Sequence, residues 1–205
     1  MATFCLVRHG HTDAVGRRLA GRLPGVFLSE KGRVQAQRLV ALLRPYEISA
    51  IVSSPLERAL QTAAPLAEHL GLEVRPDPAL TEMDFGQWQG CSLDELREDK
   101  HWQRFNALRS ATAAPGGECM HEVQARMVTA LLRLHAAHPA ATFAVFSHGD
   151  PLRSVVCHFC CIPLDCVQRF EIDPGSVTII EISDWTATVR FINRIPHPAE
   201  AGSLN

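Results

Sequence analysis

Phe4-Cys5-Leu6-Val7-Arg8-His9-Gly10 decides how this chain is read. Residues 3–8 are a short apolar run, the pattern of a buried strand. A histidine, flanked by an arginine and a glycine, stands where that strand stops. The layout returns in Phe146-Ser147-His148-Gly149, at the end of a second apolar run over 142–146. In open α/β sheets the carboxyl edge of the strands is where ligands bind. Two His-Gly pairs at two strand ends therefore predict a site as well as a fold.

The pattern outside these two strands is consistent with such a sheet. From Ser29 to Leu43 the spacing is helical, with Ser29 as N-cap and Val34, Leu39, Leu42 and Leu43 on one face. Ile48 to Ser53 reads as a strand. Ser54-Pro55 then opens a helix to Leu70, with Ser54 as its cap and Gly71 as its stop. Residues 72–82 read as extended. Residues 92–109 carry helical pieces, with Ser92 and Glu95 spaced as a capping box. Pro115-Gly116-Gly117 is a turn, followed by a long helix from Glu118 to Ala137. A further helix starts near Asp150-Pro151, and residues 169–195 alternate as strands. Strands alternating with helices predict an α/β fold, a three-layer sandwich with a mostly parallel central sheet flanked by helices. One domain over 1–195 and a loose tail over 196–205 complete the expected organisation.

Composition narrows the function. The 205 residues are 46% hydrophobic and 20% charged, with a net charge of -2. That balance offers no basic field for nucleic acid or for an anionic membrane. No apolar run approaches the ~20 residues that span a bilayer. The seven cysteines, an odd number, argue against a secreted disulfide framework, so a cytoplasmic location is expected. Cys157, Cys160, Cys161 and Cys166 are close in sequence, but 151–161 reads as an apolar helix in which cysteine is a small core residue. Trp88, Trp102 and Trp185 read as packing residues.

The chemistry lies in two histidines, two arginines and one acid. His9 and His148 end strands, Arg8 precedes His9, and Arg58 falls in the first turn of a helix. Glu82 ends the fourth extended piece, in Leu80-Thr81-Glu82. Such charge is a poor hydrophobic core but a good pocket for a phosphoryl group. One histidine can attack phosphorus. The second histidine and the arginine forks can hold the equatorial oxygens. The glutamate can protonate the leaving alkoxide. This division of labour needs neither a metal nor a cofactor.

The ordered blocks resemble the histidine phosphatase superfamily, the phosphoglycerate-mutase-like fold. They are Leu6-Val7-Arg8-His9-Gly10-His11-Thr12, Leu28-Ser29-Glu30-Lys31-Gly32 with Gln35-Ala36, and Ser53-Ser54-Pro55-Leu56-Glu57-Arg58-Ala59 with Thr62-Ala63. Leu80-Thr81-Glu82-Met83-Asp84-Phe85-Gly86, Pro115-Gly116-Gly117-Glu118 and Ser147-His148-Gly149 follow. The resemblance implies His9 as the nucleophile that becomes phosphohistidine. It implies Arg8, Arg58 and His148 as the phosphoryl holders and Glu82 as proton donor and later base. Thr12, Gly21 and Arg22 are implied near the substrate. His11, Asp13-Ala14-Val15 and Gly25-Val26-Phe27-Leu28 depart from the family pattern at outer substrate positions. The expected activity is hydrolysis of small phosphate monoesters. Alternatives are a phosphoglycerate mutase, a narrow α-ribazole-phosphate or sugar-phosphate phosphatase, and a silent relative that binds partners. Phe85-Gly86-Gln87-Trp88-Gln89-Gly90 resembles the phosphatase form more than the mutase form. The expected partner is a small phosphorylated substrate; the C-terminal strands allow a homodimer without requiring one.

Overall fold

The computed structural model describes residues 1–196. Its strands are β1 Ala2–Arg8, β2 Ala50–Ser53, β3 Val74–Pro76, β4 Thr142–Ser147, β5 Val177–Ile182 and β6 Ala187–Arg194. Its α-helices are α1 Glu30–Leu43, α2 Glu57–Leu70, α3 Leu93–Glu98, α4 Lys100–Ala107, α5 Met120–Ala137 and α6 Gly149–Phe159. The strands form one sheet in the order β3-β2-β4-β1-β5-β6. The first four in that order run parallel, and β5 and β6 join antiparallel beyond β1. All four parallel strands therefore end on the same edge.

Side-chain alternation divides the core into two layers, as a sheet covered on both faces requires. Phe4 and Leu6 of β1 and Phe143 and Val145 of β4 face one way, onto a layer that includes Met127 and Leu131 of α5 and Leu152 and Val155 of α6. Cys5 and Val7 with Ala144 and Phe146 face the other way, onto Leu39 and Leu43 of α1 and Leu66 of α2. The Phe4 and Phe143 rings stack 5.2 Å apart across the central strand pair. The result is the three-layer α/β sandwich that the strand-helix alternation predicts.

Several local expectations change. Ser54 does not cap α2: the cap residue is Leu56, whose side chain makes no capping bond. The Ser54 hydroxyl lies two residues before that cap, where it accepts from the Leu56 amide at 3.3 Å and meets His148 at 2.7 Å. Val34 lies outside the buried face of α1 at 41% exposure, while Ala36, Leu39, Val40, Leu42 and Leu43 form that face. Within 72–82 only Val74–Pro76 is strand; Pro78–Leu80 is a 3-10 turn capped by Asp77. The long helix starts at Met120, because the main chain before it is bonded elsewhere: the Glu118 amide donates to Asp84 at 2.8 Å and its carbonyl accepts from Ala114 at 3.1 Å. Trp185 is 95% exposed at the β5–β6 turn and packs no core. Of the expected tail, Pro196 is described and buried, and residues 197–205 lie outside the described residues. No helix among the described residues is long and apolar enough to cross a membrane.

Candidate active site

The carboxyl edge of the parallel strands is stitched by main-chain bonds. The His9 amide donates to Ser147 at 3.0 Å, Ser54 to Phe146 at 2.8 Å, and Asp77 to Ser53 at 2.8 Å. Beyond β1 the chain must turn tightly over α1 and α2. The Gly10 amide donates to Thr62 Oγ1 of α2 at 2.9 Å, and the His11 amide to Gln35 Oε1 of α1 at 2.8 Å. A Cβ on Gly32 would lie 2.1 Å from the His11 carbonyl oxygen, so only glycine lets the loop settle on the start of α1. The blocks around Ser29, Gln35 and Thr62 thus act by aiming His9.

His9 is 5% exposed. Its Nδ1 stands 2.7 Å from the Gly10 carbonyl oxygen. A carbonyl only accepts, so Nδ1 carries the proton and Nε2 keeps its lone pair. Burial, then Arg58 and Arg8, hold the His9 pKa well below the usual range. The ring is therefore neutral, with a nucleophilic Nε2.

Two guanidinium groups flank it. Arg58, at the start of α2, donates from Nε to His9 Nε2 at 3.3 Å and from Nη2 to the Gly21 carbonyl at 2.7 Å. Arg8 donates from Nη1 to the Ile172 carbonyl at 2.6 Å. Arg58 Nη1 and Arg8 Nε are buried without a hydrogen-bond partner among the described residues. Buried donors without acceptors are costly, and an anion satisfies both. Burial lowers both guanidinium pKa values, with Glu82 opposing; arginine stays protonated nonetheless.

His148 is fully buried, with its ring centroid 5.1 Å from that of His9. Its Nε2 lies 2.7 Å from Ser54 Oγ, which accepts from the Leu56 amide at 3.3 Å. The Ser54 proton is best used on His148 Nε2, leaving the proton of His148 on Nδ1. That nitrogen is another buried donor without a partner among the described residues. Burial first, then Arg58, holds His148 neutral.

Glu82 faces the same pocket, and its Oε1 accepts from the Met83 amide at 2.9 Å. Burial, then the nearby Asp150 charge, pushes its pKa up to about 7, against the pull of Arg58. A carboxyl group in this range can both give and take a proton near neutral pH.

The pocket has a volume of about 290 Å³. Arg8, His9, Arg58 and Glu82 line it, as do Thr12 and Gly21 of the expected substrate positions. Arg22 does not line it; its guanidinium turns to the Glu82 carbonyl and the Glu118 carboxylate. The outer wall holds residues that sequence patterns did not single out for a site: Trp102, Asn106, Arg109, Asp150, Arg153 and Gln168. Arg109 and Asp150 form a buried ion pair at 2.8 Å. Position directly after His148-Gly149 is a signal for Asp150; Arg109 has none, being 41 residues away.

The pocket thus combines two arginines, a neutral histidine and an acid of raised pKa. Residues 4–195 match the histidine phosphatase superfamily (branch 1), and the chain belongs to that family. It is similar to phosphoserine phosphatase 1 of Hydrogenobacter thermophilus, 29% identical over 98% of this chain and 96% of that protein. It is 34% identical to a bifunctional protein of Mycobacterium tuberculosis over 92% of this chain. There the chain spans only 53% of the relative, about half its length. Among solved structures, Bacillus stearothermophilus YhfR aligns with a TM-score of 0.89 at 31% identity, over 95% of this chain and 98% of that one. A mycobacterial glucosyl-3-phosphoglycerate phosphatase complexed with VO3 aligns with a TM-score of 0.83 at 30% identity, over 94% and 98%.

Proposed function

We propose that this protein hydrolyses small phosphate monoesters through a phosphohistidine on His9, without a metal ion. The observation that carries the reading is His9 itself: Nδ1 is bonded to the Gly10 carbonyl, and Nε2 keeps its lone pair with only the long 3.3 Å contact from Arg58, beside the unpartnered donors Arg8 Nε and Arg58 Nη1. In the first step His9 Nε2 forms a bond to phosphorus as the ester P–O bond breaks, and the Glu82 carboxyl proton passes to the leaving alkoxide. Arg8, Arg58 and His148 Nδ1 hold the three equatorial oxygens, where negative charge is spread. In the second step the Glu82 carboxylate takes a proton from water, the water oxygen bonds to phosphorus, and the P–N bond breaks. Inorganic phosphate leaves, with His9 neutral and Glu82 protonated again.

The names of several relatives support a phosphatase, among them the phosphoserine and glucosyl-3-phosphoglycerate enzymes. Another relative, from Cronobacter sakazakii, is named a probable phosphoglycerate mutase. The test is phosphate release from an aryl phosphate in the presence of chelator, for the parent and for His9→Ala. The reading expects turnover that ignores the chelator and disappears in His9→Ala. Chelator-sensitive turnover, full activity in His9→Ala, or phosphoglycerate interconversion much faster than phosphate release would overturn it.

A further inference from the structure

We infer that Arg22 is a positioning residue: it ties the main chain of Glu82 to the loop that holds Arg58, and does not bind substrate. The inference rests on the proposed proton-donor role of Glu82.

The Glu82 segment has little regular structure to support it. It follows the 3-10 turn Pro78–Leu80 and precedes a second one at Gly86–Trp88. Beside main-chain bonds such as that from the Glu118 amide to Asp84 at 2.8 Å, side chains set its position. Arg126 of α5 donates from Nη1 to the carbonyls of Ala79 and Thr81, both at 2.7 Å, and from Nη2 to that of Glu82 at 3.2 Å. Arg22 donates from Nε to the same Glu82 carbonyl at 2.8 Å. Both arginines converge on Glu118: Arg22 Nη2 at 2.8 Å from Oε2 and Arg126 Nε at 3.0 Å from Oε1. Glu118 Oε2 also accepts from the Asp84 amide at 2.9 Å, two residues beyond Glu82.

Arg126 and Glu118 belong to α5 and the turn before it. Arg22 brings in the loop that bonds Arg58. Its own amide donates to Gln89 Oε1 at 2.6 Å, and the residue before it, Gly21, accepts from Arg58 Nη2 at 2.7 Å. Gly21 has φ +51, and a Cβ there would lie 2.6 Å from Gln89 Oε1. One short turn, Gly21-Arg22, therefore touches the phosphoryl-holding guanidinium through its main chain and the proton donor through its side chain. The distance from phosphorus to the leaving oxygen is set by the substrate, so the acid must keep a matching distance from Arg58. A small misplacement of a reacting group is expensive in rate.

The experiment compares Arg22→Met, Arg22→Lys and Glu82→Gln on two substrates, an aryl phosphate that needs no protonation to leave and an alkyl phosphate that does. Arg22→Met should lose about tenfold more kcat/KM, which reports the phosphorylation step alone, on the alkyl than on the aryl ester. Arg22→Lys keeps a charge for Glu118 but lacks the fork that also reaches the Glu82 carbonyl. It should keep the parent Tm and show the same selective loss. Adding Arg22→Met to Glu82→Gln should cost no further selective rate, because residues acting through one group are not additive. A raised KM on both esters would make Arg22 a substrate contact. An equal kcat/KM loss on both, or an additive double variant, would reduce it to a structural residue. Either result overturns the inference. If Glu82→Gln itself shows no preference between the esters, the proposed role of Glu82 fails instead.

Discussion

Each group of the candidate site has its protonation state set by its surroundings. The Gly10 carbonyl fixes the proton of His9 on Nδ1, and burial with two arginines keeps the ring neutral into acid. Glu82 works in the other direction, pushed up to about 7. Turnover of a poor leaving group should therefore fall as pH rises through about 7, where the acid form of Glu82 is lost, and a kcat–pH profile checks it. Asp150 helps to raise that pKa, so Asp150→Asn should move the falling limb to lower pH. The same substitution leaves Arg109 buried without its partner, at a cost of about 3 kcal/mol by denaturant unfolding. Stability follows the Glu82 carboxyl too. Its folded pKa lies above the ordinary carboxylate value, so protonation stabilises the fold at low pH and that contribution is lost as pH rises through 7. Glu82→Gln should thus be more stable than the parent at pH 8, with no such advantage below pH 4. His9, Arg8, Arg58 and His148 are legible in the sequence because each stands at a strand end or helix start. The Arg109–Asp150 pair is not, because an arginine just beyond α4 reads locally as a solvated residue.

At the scale of elements, the site depends on how closely the loop after β1 approaches the start of α1. Gly32→Ala would force a methyl group against the His11 carbonyl. It should cost about 1–3 kcal/mol in chemical unfolding, as overpacking does, and lower kcat by disturbing His9. Ser29 caps that helix through the Gly32 amide, and its bond is what the sequence predicts. Ser54 shows where local reading fails. A serine before a proline at the end of a strand has the look of an N-cap, yet its hydroxyl serves a histidine 94 residues away. Arg22 is a case of the same kind, since its partners lie 60 and 96 residues on. Sequence periodicity sees neighbours along one element and is blind to bonds between loops.

For the whole molecule, the parallel order β3-β2-β4-β1 is what gathers His9, His148, Arg58 and Glu82, since all follow strand ends on one edge. That much was readable from strand-helix alternation and two His-Gly pairs. The antiparallel β5 and β6 and the exposed Trp185 were less so, because alternating strands do not declare their partners or which face is covered. On the proposed function the pocket collects a phosphoryl group, and so couples ligand to fold. Inorganic phosphate at about 100 times its Kd should stabilise the parent by about 2.7 kcal/mol, seen as a higher Tm. Arg58→Met should lose that increment, which a calorimetric scan with and without phosphate would record.

The proposed chemistry turns on a covalent bond between phosphorus and His9 Nε2. The direct measurement is to mix the protein with a phosphate ester, quench in alkali, and map any phosphoryl group by mass spectrometry of the peptides. The prediction is one phosphoryl group on His9, stable in alkali, lost in acid, and absent from His9→Ala. A protein that turns over but carries no phosphoryl group on His9, or carries it on another residue, would contradict it.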